Sequence, residues 1–96
     1  MRLDLSSDAR ADLNDILAFS AQQWGPLKAF DYVGEIREPM DALARGDVSG
    51  TRVDGIPSGL RRQIVSSHVI WFRVEADRLR VVRVLHQSRD AGVQLL

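Results

Sequence analysis

The chain has 96 residues, no cysteine, 27% charged residues and a formal net charge of zero at neutral pH. That length is typical of a single domain, here residues 1–96, and the lack of cysteine excludes disulfides and thiolate metal sites. No apolar run approaches the roughly 20 residues that span a bilayer, and the first residues carry an acid instead of an apolar signal core. We therefore expect a cytoplasmic protein with no membrane partner.

The neutral net charge hides an asymmetry along the chain. Residues 1–59 hold six Lys/Arg and ten Asp/Glu, whereas residues 60–96 hold seven Arg and three acids. The basic part uses arginine only, and arginine makes planar, bidentate contacts with carboxylates and phosphates. A basic sheet beside acidic helices predicts one anion-seeking face.

The first element is a short strand, because Leu3 and Leu5 alternate with polar residues over positions 2–5. Ser6 or Ser7 then offers an N-cap for a helix over about residues 7–23. Its apolar face repeats at helical spacing and comprises Ala9, Leu13, Ile16, Leu17 and Ser20.

A second helix is predicted over about residues 26–44, since Gly25 suits the end of one helix and Pro26 the start of the next. Its apolar seam comprises Ala29, Val33, Ile36, Met40 and Leu43. So short a turn makes the two helices an antiparallel αα-hairpin. Pro39 predicts a bend near residues 35–38 rather than a break, because the seam continues across it.

Residues 45–59 read as a glycine-rich loop, and residues 60–86 as a three-stranded antiparallel meander with turns at 66–67 and 76–78. Strict alternation places one set of residues towards the helices: Ile70, Phe72, Val74, Val82 and Val84. It places Trp71, Arg73, Val81, Arg83 and Leu85 on the opposite face. We expect Phe72, Val74, Val82 and Val84 to be more buried than Trp71 and Arg73. The fold class is α+β, with the hairpin on one face of a small antiparallel sheet.

Few residues are candidates for chemistry. His68 and His86 fall near strand ends, where each is a general acid/base or a hydrogen-bonded histidine at the rim of the core. Ser67 and His68 project to opposite faces of a strand, so they do not form a hydrolase dyad. Two separated histidines without cysteine do not make a metal site, and the loop glycines lack the context of a phosphate-binding loop. No cofactor is expected.

Arginines are the strongest chemical feature. Arg61, Arg62, Arg73, Arg83 and Arg89 fall on or beside the sheet, where each could hold a phosphate or an acidic peptide. They could equally protect strand edges and keep the protein dispersed. A sheet face that also carries Trp71 and Leu85 predicts a covering partner.

Several segments together resemble the ParE branch of the RelE/ParE toxin superfamily. They comprise Leu5-Ser6, Ala9, Asp12-Leu13, Ile16, Trp24-Gly25, Tyr32, Ile56-Pro57-Ser58-Gly59-Leu60-Arg61-Arg62, Ser67-His68-Val69-Ile70 and Arg83-Val84-Leu85-His86-Gln87. The resemblance implies a non-enzymatic toxin that binds DNA gyrase and is neutralised by a ParD-like antitoxin in a heteromeric complex. It implies no direct sequence-specific binding of nucleic acid.

We expect the antitoxin to fold onto the hairpin and the outer sheet face. The candidate partner-binding residues are Trp71, Arg73, Arg83, Leu85, Arg61, Arg62, Val33 and Ile36. The RelE branch of the superfamily offers an alternative, a ribosome-dependent mRNA endoribonuclease. Its catalytic set here would be His86 with Arg61, Arg73 and Arg83. The only tyrosine is Tyr32 on a helix, and the sheet has no lysine, which argues against this alternative.

Overall fold

A computed structural model describes residues 1–53 and 59–89. In chain order the elements are β1 (Arg2–Leu5), α1 (Ser7–Trp24), α2 (Pro26–Arg45), β2 (Thr51–Arg52), β3 (Arg61–Val65), β4 (His68–Glu75) and β5 (Arg78–His86). The α+β class, the helical hairpin and the meander are confirmed. Residues 54–58 lie outside the described residues, and with them part of the predicted loop and the Ile56-Pro57-Ser58 segment of the resemblance.

The sheet has five strands in the order β1-β5-β4-β3-β2. Strands β3, β4 and β5 form the antiparallel meander, while β1 joins β5 in parallel, so the sheet is mixed. The two-residue strand β2 pairs with the start of β3, within the segment predicted to be a loop. A strand that short carries no alternation, which is why the sequence pattern did not indicate it.

Ser6 determines where α1 begins. Its Oγ accepts a hydrogen bond from the backbone N–H of Ala9 at 3.0 Å and donates to the carbonyl of Val82 at 2.7 Å. The residue therefore caps α1 and ties the helix start to β5. Gly25, at φ 87°, separates the helices, and α2 continues through Pro39. The bend expected at Pro39 stays a prediction.

The main core lies between the hairpin and one face of the sheet. It comprises Ala9, Leu13, Ile36, Met40, Leu43, Ile70, Phe72, Leu79, Val81 and Val84. Phe72, Ile36 and Met40 are among its largest fully buried side chains. Both predicted helix stripes contribute to it. Burial of an aliphatic or aromatic side chain stabilises the fold by about 1.5–3 kcal/mol.

The predicted burial order is partly wrong, because β5 contains a bulge. Trp71 pairs with Arg83 but Phe72 pairs with Val81, so Val82 is an extra residue in the ladder. The bulge turns Leu79 and Val81 towards the helices and Val82 away from them. Phe72 and Val84 are buried as predicted, whereas Val74 is 49% exposed near the β4–β5 turn.

The outer face of the sheet carries a second, smaller apolar cluster. It comprises Leu60, Val69, Trp71 and Leu85, with Val53 and Val82 packed against it. Trp71 is only 5% exposed and Leu85 only 4%. The expectation that these two side chains form an open apolar surface for a partner is therefore wrong for the free chain. Alternation predicts which face of the sheet a residue lies on. It does not predict that neighbouring residues of the same chain cover that side chain, as they do here.

Candidate functional site

A cavity of about 570 Å³ opens between α1 and the adjoining ends of β4 and β5. Its lining includes Phe19 and Trp24 from α1, Tyr32 from α2, and His68, His86 and Arg89 from the sheet end. Phe19 is 62% exposed and Trp24 53% exposed. The cavity thus combines an aromatic rim with a few polar groups, as ligand and peptide sites commonly do.

Four rings form a continuous row beside this cavity. Trp24, Tyr32, His68 and His86 meet edge to face, with neighbouring ring centroids 5.8, 5.6 and 5.4 Å apart. The Tyr32 hydroxyl and Nδ1 of His68 share a hydrogen bond of 2.6 Å. Burial lowers the pKa of His68, and the neighbouring His86 lowers it further. A neutral imidazole is therefore favoured, and its Nδ1 can accept a hydrogen bond from the Tyr32 hydroxyl.

His86 is exposed, and the turn that follows β5 holds its ring. Nδ1 of His86 accepts from the backbone N–H of Ser88 at 3.1 Å and lies 2.8 Å from that residue's hydroxyl. Its neutral form therefore carries the proton on Nε2. The two histidines predicted near strand ends lie together, and Tyr32, far from them in sequence, completes the group.

Arg83 closes one wall of the cavity and is paired with an acidic residue of α1. Its Nε and Nη2 donate to the two carboxylate oxygens of Asp12 on α1, each at 2.8 Å. Oδ2 of Asp12 also accepts the backbone N–H of Val84 at 2.9 Å. These bonds raise the pKa of Arg83. The prediction that Arg83 lies open on the outer face is wrong: it pairs with Trp71 in the ladder, but its guanidinium bonds Asp12 and its side chain is only 20% exposed.

The remaining candidate residues are dispersed. Arg61 donates to the carbonyl of Ser49 at 3.2 Å, and Arg62 is exposed on β3. Arg73 lies half-buried on the outer face, away from the histidines. Val33 packs partly buried against the main core, and Ile36 is 0% exposed. Ile36 is therefore a core residue in the free chain and not the surface contact that was expected.

Sequence analysis did not single out the exposed apolar residues of the hairpin. Phe19, Trp24, Leu27 and Phe30 are all more than half exposed. Phe19 lies off the predicted α1 stripe, and Leu27 and Phe30 lie off the predicted α2 seam. Large apolar residues beside a complete helix stripe were the signal that would have indicated this surface.

The described residues show no metal centre and no membrane span. No three His, Cys, Asp or Glu side chains among residues 1–53 and 59–89 come together in a way that could hold a metal ion. Neither α1 nor α2 is long and apolar enough to cross a bilayer.

Comparison with known proteins identifies the family. The family model of the ParE toxin of the type II toxin–antitoxin system, parDE, matches residues 3–91. The chain belongs to the ParE toxin family. The resemblance read from the sequence is therefore confirmed.

Individual ParE relatives match over nearly their whole length. Toxin ParE1 of Caulobacter vibrioides is 38% identical over 91 residues, covering 95% of this chain and 94% of that protein. Toxin ParE1 of Mycobacterium tuberculosis is 34% identical over 92 residues, with the same two coverages of 95% and 94%. A solved structure of the chromosomal ParDE system from P. aeruginosa superposes with a TM-score of 0.78 at 26% identity, covering 90% of this chain and 95% of that one. The chain is thus a ParE-type toxin of a ParDE toxin–antitoxin system.

Proposed function

We propose that this ParE-type toxin inhibits DNA gyrase by binding it, without chemistry of its own, and that a ParD-like antitoxin neutralises it in a heteromeric complex. The family match over residues 3–91 is the observation that carries the proposal. A toxin that acts on gyrase and pairs with a coexpressed antitoxin would work in the cytoplasm.

The dispersal of the arginines supports a toxin that acts by binding. Phosphodiester cleavage needs an acid/base group and a cationic group on the same phosphate. Arg83 is held by Asp12, Arg61 by the carbonyl of Ser49, and Arg73 lies on the other face of the sheet from His86. The set expected for the RelE-type alternative is therefore not assembled around one point.

The cavity is the surface that best fits an antitoxin segment. Its rim exposes Phe19 and Trp24, and exposed apolar groups in a concave site favour an amphipathic peptide. The cavity thus takes the place of the docking surface expected at Trp71 and Leu85, since those two side chains are already buried. A segment that folds on binding would bury the aromatic rim and stabilise the toxin by mass action.

The ribosome-dependent endoribonuclease remains a second candidate because of one observation. His68 and His86 are adjacent, Tyr32 contacts His68, and Arg89 lines the same cavity. These residues supply acid/base groups and a cation, although they share only His86 with the set that the sequence suggested.

Purified toxin added to a supercoiling assay and to a translation assay separates the two functions. We expect inhibition of gyrase supercoiling, and intact messenger RNA on translating ribosomes. His86→Ala should leave gyrase inhibition within about twofold, whereas it should reduce a nuclease by roughly 10²-fold or more. Messenger RNA cleavage that His86→Ala abolishes, with supercoiling unaffected by the wild type, would establish the second candidate.

A further inference from the structure

One end of the outer sheet face is rich in arginine. The strand register puts several arginines on the face away from the helices. Arg62 pairs there with Trp71, Arg73 with Arg80, and Arg80 with Asp4. The register also brings Arg2 beside Arg78. We call the five residues Arg2, Arg62, Arg73, Arg78 and Arg80 the arginine face. They come from four adjacent strands, so the charge concentration arises only when the sheet forms.

The carboxylates on this face are too few to neutralise it. Asp4 bonds both Arg80 and Arg78, the latter at 3.2 Å. Glu75 approaches Arg78 only at 3.8 Å. Among residues 1–53 and 59–89, five guanidinium groups thus share two carboxylates, which gives this part of the face a net positive charge.

Arg73 is the least satisfied member of the arginine face. It pairs directly across the ladder with Arg80, and like charges in opposite positions destabilise a sheet. Its Nε is shielded from solvent and has no hydrogen-bond partner among the described residues. Arg62 and Arg73 form no ion pair within the part of the chain that the structure describes. An arrangement that is unfavourable in the free chain favours an anionic partner.

The surroundings of these arginines favour a phosphate backbone over a peptide. Trp71 and Leu85 are buried on this face, and Ile64, 57% exposed, is the large apolar side chain left open on its described strands, so a peptide would find few anchors. For the same reason no aromatic ring on the described part of this face is open for stacking by a single-stranded base. Residues two apart on a strand are about 6.6 Å apart, and neighbouring strands about 4.8 Å. A grid of cations at such spacing suits a duplex backbone, whose recognition requires charge and not apolar area.

We infer that the arginine face binds the phosphate backbone of duplex DNA without reading its sequence. The choice of DNA over double-stranded RNA rests on the proposed function, because gyrase holds duplex DNA while it works. The toxin would contact the DNA as well as the enzyme. This contact involves no base edges, so it is not the sequence-specific binding that the resemblance argues against.

The test compares two charge-matched double variants with the wild type. Arg62→Gln/Arg73→Gln removes two members of the arginine face that form no ion pair among the described residues. Arg10→Gln/Arg37→Gln removes two exposed arginines from the helices, so this helix variant has the same net charge as the face variant. Binding to a fluorescein-labelled DNA duplex of about 20 base pairs is followed by anisotropy at several salt concentrations, without gyrase. Thermal melting checks that each variant folds.

We expect the face variant to bind the duplex roughly tenfold or more weakly, with its log–log salt slope reduced by about 1.8 for two lost phosphate contacts. The helix variant should bind within about twofold of the wild type. Equal losses in both variants, or no binding by the wild type, would overturn the inference. Equal affinity for a matched RNA duplex would overturn the assignment to DNA. If the face variant instead loses antitoxin affinity and keeps DNA binding, the face is a protein-docking surface and the inference is wrong.

A supercoiling assay on the same proteins keeps the two proposals apart. A wild type that inhibits gyrase but does not bind free duplex contradicts the inference alone. A wild type that binds duplex through the arginine face but leaves supercoiling unaffected contradicts the proposed gyrase function alone.

Discussion

Arg83 and Asp12 join the last strand to the first helix through two hydrogen bonds of 2.8 Å each. The two side chains are 20% and 12% exposed, so water weakens the pair little. Strand β1 pairs with β5 only as far as Val81. Beyond that point Asp12 also accepts the backbone N–H of Val84, at a position where β1 no longer covers the strand. The pair therefore protects a strand edge and fixes one wall of the cavity.

Asp12→Asn should lower the free energy of unfolding by about 2 kcal/mol, because it leaves the Arg83 guanidinium shielded but uncompensated. Asp15→Asn is the matched control. Asp15 lines the same cavity on the same helix but is exposed, and we expect a change within about 0.5 kcal/mol. Urea denaturation measures both values. Similar stabilities for the two variants would contradict the role assigned to Asp12.

Gly50→Ala should destabilise the protein by about 2–4 kcal/mol. Gly50 has φ 67°, and a Cβ there would lie 2.6 Å from Cζ of Phe72 and 2.8 Å from the carbonyl oxygen of Arg62. The backbone oxygen cannot yield without disturbing the β2–β3 pairing.

Gly34→Ala provides the opposite control for Gly50. Gly34 lies within α2, and no neighbouring atom is within 4 Å of a Cβ built there. Alanine should stabilise that position by about 0.5–1 kcal/mol because glycine is a poor helix former. Thermal melting under identical conditions should therefore move in opposite directions for the two variants, and movement in the same direction would disprove the steric argument.

His68 should make stability depend on pH below neutrality. Burial and the nearby His86 lower its pKa from the usual value of 6.5. Above that value the imidazole is neutral in both folded and unfolded chains and has no effect. As pH falls through 6.5 towards the folded pKa, the unfolded chain binds the proton first, so stability decreases. Below the folded pKa the loss levels off.

The titration of His68 can be followed by NMR of its ring protons. We expect a pKa below that of an unfolded peptide, and a return towards it in His86→Gln, because that substitution removes one of the two causes. His68→Gln should flatten the dependence of stability on pH below 6.5. A His68 pKa at or above 6.5 in the wild type would show that the ring is not desolvated as the structure indicates.

Local signals in the sequence were enough to predict the helical hairpin and the meander. Gly25 and Pro26 determined the turn between the helices, the apolar stripes determined the helix faces, and short turns determined the strand pairing. Alternation failed at Val82, the extra residue of the bulge. One extra residue makes the strand before it face the opposite way from what the strand after it predicts. That reversal misplaced Val81 and Val82 together.

The candidate site was less predictable because it depends on contacts between distant residues. Nothing near Arg83 in the sequence indicates Asp12, which is 71 residues away. Tyr32 contacts His68 across 36 residues. The exposed Phe19 could have been recognised, because it lies outside a stripe that is already complete.

The cavity rim gives the sharpest test of antitoxin docking. Phe19→Ser should leave the toxin as stable as before, since the side chain is 62% exposed, but should weaken binding of the cognate antitoxin by roughly tenfold or more. Leu27→Ser is the matched control, because Leu27 is 80% exposed and does not line the cavity. Calorimetric titration of toxin with antitoxin gives both affinities. If Leu27→Ser weakens binding as much as Phe19→Ser, the antitoxin docks on the hairpin surface at large. If neither substitution matters, the segment docks elsewhere and the cavity has another use.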